Sequence, residues 1–92
     1  MRPEPIHECF ISPHAALEMR RRGIDEATVR QVLTGPEQRE AVRSGRDVLQ
    51  SRIDAEGKTY LVRVFVDVDR TPAEVVTTYR TSKIEKYWRN EP

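Results

Sequence analysis

Apolar positions recur with two different periods along this chain, and the change of period divides it. From Ser12 to Thr34 the spacing is helical. At 100° per residue Ala15, Ala16 and Met19 fall in one stripe, and Val29, Val32 and Leu33 fall at i, i+3 and i+4. The punctuation agrees. Ser12 is a good N-cap, Pro13 suits the first helical position and Gly23 suits the stop. A second helix runs from Asp25 as N-cap to Thr34, where Gly35-Pro36 ends it. Joined by Gly23-Ile24, the two helices form a hairpin.

Beyond Pro36 the period becomes two. Gln38 to Arg43 reads as a first strand, Ser44-Gly45-Arg46 as a turn, and Asp47 to Ile53 as a second strand with Leu49 and Ile53 on one face. After a loop over 54–58, Thr59 to Val68 is the most apolar run, and Ala73 to Arg80 follows a loop over 69–72. Simple alternation sets Val68, Val66, Val64 and Val62 opposite Ala73, Val75, Thr77 and Tyr79. That makes one face a valine surface capped by Tyr79. The other face then brings Arg63 and Arg80 together, and a slip of one residue would undo this. The last helix is expected from Ser82, its cap, to Asn90, with Ile84, Tyr87 and Trp88 as its apolar stripe and Lys83, Lys86 and Arg89 opposite. Short connections force neighbouring antiparallel strands. The expected fold class is α+β: a helical hairpin, a four-stranded antiparallel meander with one face covered by helices, and a C-terminal helix. Phe10, Tyr87 and Trp88 are expected in the core.

Length and charge narrow the class. The chain of 92 residues makes one domain, 1–92, and 37% hydrophobic with 34% charged residues is the balance of a folded chain. A net charge of +1 gives no bulk attraction to nucleic acid, so any such signal lies in where the charges sit. Cys9 is the single cysteine, which excludes an internal disulfide. With no apolar secretory stretch after Met1 and no long apolar run, a cytoplasmic location is expected.

The series His14-Ala15, Met19, Arg22-Gly23-Ile24, a second helix and then Val76 to Arg80 resembles a bacterial domain-of-unknown-function family. That family is placed near the RelE/ParE-like toxins and is similar in layout to the BrnT ribonuclease toxins. The resemblance spans Ile11 to Trp88. It implies a RelE-like fold, RNA as substrate, no metal or other cofactor, and in many cases a neutralising antitoxin protein. A basic residue closing the last strand, here Arg80, followed by a basic helix is the recurring feature. The function expected on this ground is a toxin-like, metal-independent endoribonuclease acting on RNA, mRNA foremost. The alternative is a non-catalytic regulatory module of the same fold that binds nucleic acid or protein.

Metal-independent RNA cleavage needs a base for the ribose 2′-OH, a cation for the phosphate and an acid for the leaving oxygen. His14 titrates in the useful range and has Glu18 one turn on to orient it; the bland alternative is a surface histidine bonded to a loop. Arg63 and Arg80 can grip phosphate bidentately, or each can pair with a carboxylate. Tyr79 serves as a stacking or proton-relay group, or else covers the valines. Lys83 and Lys86 position phosphate, or form an ordinary solvated helix face. Arg22 binds RNA with its neighbours Arg20 and Arg21, or reaches a carbonyl or carboxylate of the sheet. His7-Glu8-Cys9, with His14 beyond, has metal-ligand residue types but no metal spacing, so no metal site is expected.

Overall fold

A computed structural model describes residues 3–90. The elements in order are β1 (Cys9–Ile11), α1 (Pro13–Arg22), α2 (Glu26–Thr34), β2 (Gln38–Arg43), β3 (Arg46–Ala55), β4 (Lys58–Asp67), β5 (Ala73–Thr81) and α3 (Ile84–Tyr87). They make one five-stranded sheet in the order β1-β5-β4-β3-β2. β2 to β5 form the expected antiparallel meander. β1 is an addition, pairing parallel to β5 from Cys9 opposite Ala73 to Ile11 opposite Val75. Three residues are too few to show a period of two, so the pattern could not reveal this edge strand. No helix among the described residues is long and apolar enough to cross a membrane.

The two long helices form for local reasons. The Ser12 side chain accepts from the Ala15 amide at 3.0 Å, and Asp25 accepts from the Thr28 amide at 2.8 Å. Gly23 takes the left-handed conformation at φ 68°, and the next amide, Ile24, donates back to the Met19 carbonyl at 2.9 Å. Both helices lie on one face of the sheet. There Ala15, Met19, Ile24, Val29, Val32 and Leu33 bury themselves against Leu49, Val62, Val64, Val66 and Val75. Phe10, expected in this core, is instead 53% exposed, because β1 turns it away from the helices. Tyr87 and Trp88 are half-buried on the opposite face.

The β4–β5 register departs from simple alternation at one point. Val66 pairs with Val75 as expected, but Phe65 then pairs with Thr77, Val64 with Thr78, Arg63 with Tyr79 and Val62 with Arg80. Val76 is the extra residue, a β-bulge that exchanges the two faces for everything after it. The expected pairs Val62–Tyr79, Arg63–Thr78 and Leu61–Arg80 are therefore corrected. Tyr79 leaves the valine face, and Arg80 moves onto it. Thr78, now buried there, satisfies its hydroxyl on the Arg63 carbonyl at 2.8 Å.

Two boundaries also change. β3 is longer than expected at both ends, β4 starts and ends one residue earlier, and the two meet in a two-residue turn, with Glu56 at φ 56° and Gly57 at φ 74°. The last helix covers only Ile84–Tyr87. Lys83 rather than Ser82 stands at its N-cap, with no side-chain cap bond, and Trp88 is extended. A competing partner explains the early stop: the Gln38 side chain donates to the Arg89 carbonyl at 2.6 Å and accepts from its amide at 3.0 Å. Trp88 and Arg89 thus leave the helix and lie against β3 and β2.

Truncating Val64 to alanine should lower unfolding free energy by about 1–3 kcal/mol, and Leu49→Ala by about 2–5 kcal/mol, in urea titrations. Ser12→Ala should cost about 1 kcal/mol through the lost cap. A silent Leu49→Ala would contradict the packing described.

Candidate functional site

The face of the sheet away from the two long helices is lined by residues that alternate with the core positions. Arg63 stands at its centre. Its Nε donates to Gln50 Oε1 at 2.8 Å and one terminal nitrogen donates to the Tyr79 hydroxyl at 2.7 Å. Its guanidinium carbon lies 4.5 Å from the Tyr87 ring centre, 5.3 Å from Phe65 and 5.8 Å from Tyr79. The rings support one another: Phe65 and Tyr79 stack at 6.0 Å, and Tyr79 meets Tyr87 edge-on at 6.2 Å. Gln50 is buried and fixed. Its amide nitrogen donates to Gln38 Oε1 at 2.8 Å and to the Tyr87 carbonyl at 3.1 Å, which leaves the oxygen for Arg63.

Among the described residues no carboxylate pairs with Arg63. Its neighbours on this face differ. Arg46 is held bidentately by Asp67, Arg52 by Glu37 while lying 4.2 Å from the Trp88 ring, and Arg89 by Glu40. A half-buried guanidinium whose partners are neutral keeps its full charge for an incoming anion. The Tyr79 oxygen accepts from Arg63, and among the described residues nothing accepts its proton.

At the β5 rim of this face Thr77 donates a short hydrogen bond to Glu18 of α1. Glu18 also meets Arg22 at 3.3 Å and His14 Nε2 at 3.5 Å. The Thr77 hydroxyl, with help from the Arg22, His14 and Arg21 charges, outweighs desolvation and holds the Glu18 carboxyl below the usual range. Arg22 further donates to the Thr78 carbonyl at 2.8 Å, taking the sheet-carbonyl alternative weighed for it. His14 is 69% exposed, with Glu18 as its orienting partner. Thr77 and Tyr79 are two residues apart on one strand face, a separation of roughly 7 Å, so this rim adjoins the Arg63 cluster.

The predicted site residues thus separate. Arg63 and Tyr79 are bonded to each other. His14 and Arg22 lie at the rim. Arg80 lies on the helix-side face, against Tyr60 at 4.5 Å and Glu56 at 3.4 Å, and does not join Arg63. Lys83 and Lys86 are exposed on the closing segment, Lys86 beside Tyr87 at 5.4 Å. Gln50, Phe65, Thr77 and Tyr87 belong to the constellation but carried no chemical signal of their own. The β4–β5 register places Phe65 and Thr77, the β3–β4 pairing sets Gln50 opposite Arg63, and the fold of the closing segment brings in Tyr87. Among the described residues no group of three or more His, Cys, Asp or Glu side chains is placed to hold a metal ion.

One comparison with known proteins identifies a relationship. A family described as a domain of unknown function, DUF4258, matches residues 11–86, from the end of β1 to α3. No curated protein and no solved structure matches the chain.

The Glu18 environment is open to a direct test. Because its carboxyl is held low, the stability it contributes is present above the ordinary carboxylate value and is lost as pH falls through the folded value. Thr77→Val removes the largest cause, so Glu18 should titrate nearer the ordinary value by NMR. The loss of stability on acidification should shrink in that variant. An unmoved titration curve would show that the Thr77 hydroxyl does not govern this carboxylate.

Proposed function

We propose a ribonuclease function for this chain, which belongs to the DUF4258 family of domains of unknown function. In this reading it is a toxin-like, RelE/BrnT-like endoribonuclease that cuts RNA without a metal, on the open face of the sheet. The observation that carries the proposal is Arg63: a half-buried guanidinium without a carboxylate partner, bonded to a tyrosine hydroxyl and set among aromatic rings. That combination matches single-stranded RNA, whose phosphates need fixed cations and whose unstacked bases lie on aromatic side chains. The α-helical hairpin over an antiparallel meander supports the toxin-like assignment at the level of layout alone.

In this reading each residue takes a role in one transesterification. RNA enters with its scissile phosphate against Arg63, which stabilises the charge that grows on the phosphoryl oxygens. A base takes the 2′-OH proton, O2′ bonds to phosphorus, and the bond from phosphorus to O5′ breaks. Tyr79 gives its hydroxyl proton to O5′, and Arg63 stabilises the phenolate left behind. His14, oriented by Glu18 at the adjoining rim, takes the base role. Phe65 and Tyr87 offer stacking surface, and Lys83 and Lys86 attract the flanking phosphates. Arg80 is outside this constellation.

The second reading is a binding module that uses the same face without chemistry. It is favoured by one observation: among the described residues no imidazole or carboxylate is bonded to Arg63 or Tyr79. Both readings are separated by cleavage of a long unstructured RNA, with and without translating ribosomes.

Arg63→Ala should reduce cleavage on the order of 100-fold or more, and Arg63→Lys should restore only part because the fork is lost. Tyr79→Phe should slow cleavage while retaining RNA binding. His14→Ala should also reduce the cleavage rate. Chelators should leave the rate unchanged. RNA binding without cleavage by the wild-type protein would favour the binding module, and wild-type cleavage by Arg63→Ala would displace the site.

A further inference from the structure

On the helix-side face the β3–β4 hairpin extends past the helical hairpin, and the space beneath the α1–α2 connection is open. This cavity has a volume of about 300 Å³ and is lined by Gly23, Ile24, Ile53, Tyr60, Val62 and Arg80 among others. The size is at the lower end of the roughly 300–1,000 Å³ range of ligand sites. We propose that it binds a small monocarboxylate with an apolar body, independently of the RNA-directed reading of the opposite face.

The lining combines an apolar floor, a single cation, Arg80, and two carboxylates, Asp25 and Glu56. Ile53 and Tyr60 are paired across β3 and β4, Val62 sits opposite Arg80, and Ile24 is buried above them. These surfaces suit a short aliphatic or aromatic body. The Arg80 guanidinium stacks 4.5 Å from the Tyr60 ring, which fixes its plane, and its side chain is only 27% exposed. Among the described residues, one of its five N–H donors is engaged, in a contact of 3.4 Å to Glu56. That carboxylate is 74% exposed and belongs to the hairpin turn, so an incoming anion can displace it at little cost. Gly23 stands beside Arg80: a Cβ there would make an ordinary contact of 3.8 Å with a guanidinium nitrogen.

Charge selects the ligand class. One planar guanidinium matches one carboxylate through two parallel hydrogen bonds. Asp25 and Glu56 line the same cavity, Asp25 being committed to the start of α2, and their charges oppose a dianion such as phosphate. A neutral amide of the same shape would fill the floor but forgo the charge-assisted bonds.

The test is an NMR titration of the full chain with hexanoate, hexanamide and inorganic phosphate. Hexanoate should shift resonances of Ile53, Tyr60, Val62 and Arg80, with a Kd at least about tenfold lower than that of hexanamide. Arg80→Gln should weaken hexanoate by a similar factor. Glu56→Gln, at an exposed turn, should tighten it, because the competing carboxylate is gone; a purely structural role for Arg80 predicts no such gain. An acetylated peptide ending in leucine, compared with its C-terminal amide, separates the two sources of the carboxylate. Peptide binding tighter than hexanoate, lost in the amide, supports the site with a chain terminus as ligand; weaker binding supports it with a free acid. Equal affinity for hexanoate and hexanamide, phosphate binding tighter than both, or shifts confined to the Arg63 face would overturn the proposal.

Discussion

A single extra residue in β5 controls what each face of the sheet can do. From Val75 onward simple alternation would have carried Tyr79 under the helices and brought Arg80 beside Arg63. Because Val76 is bulged out of the ladder, every later side chain points to the other face. Thr78 then fills a core position where its hydroxyl has a carbonyl to bond. Tyr79 gains the open face, where Arg63 meets it, and Arg80 gains the end of the apolar face beside Tyr60. Two separate cationic environments result from what the linear pattern presents as one.

The first environment is held by Gln50. Its amide is committed on every side, to Gln38, to the Tyr87 carbonyl and to Arg63, so it cannot rotate without leaving a buried polar atom unpaired. Through Gln38 and Gln50 the closing segment is anchored across the sheet by its backbone, and Tyr87 is set against Arg63 as a consequence. A guanidinium among aromatic rings and neutral acceptors is less stabilised than one facing a carboxylate. Elsewhere in the fold that compensation is supplied, as Arg39 with Asp47 and Arg46 with Asp67 show. Asp67 illustrates its effect: Arg46 holds this buried carboxyl below the usual range. The departure from that habit at Arg63 is what gives the open face its chemical character.

Helix α1 joins the two levels of organisation. Its buried stripe of Ala15 and Met19 packs on the sheet, while Glu18 reaches the β5 rim, so the packing that forms the core also fixes the carboxylate beside the open face. Arg22 ties the end of the same helix to the Thr78 carbonyl. His14 therefore has a defined partner despite its exposure.

The sequence by itself determined the features that depend on neighbours a few residues apart. Both helix starts and the left-handed stop at Gly23 are written in caps that span one turn, and the valine run declares a buried strand by period alone. It also singled out His14, Arg63, Tyr79, Arg80, Arg22, Lys83 and Lys86 as candidates. Tertiary structure alone decided which of these meet. β1 is too short to carry a period and exists because β5 offers it a ladder. The last helix yields after Tyr87 because Gln38, distant in sequence, bonds the backbone of Arg89. The bulge at Val76 has no local signature in a β-branched run. An alternating pattern reads equally well on either face once one residue is inserted, so only the packing of the whole sheet could choose between them.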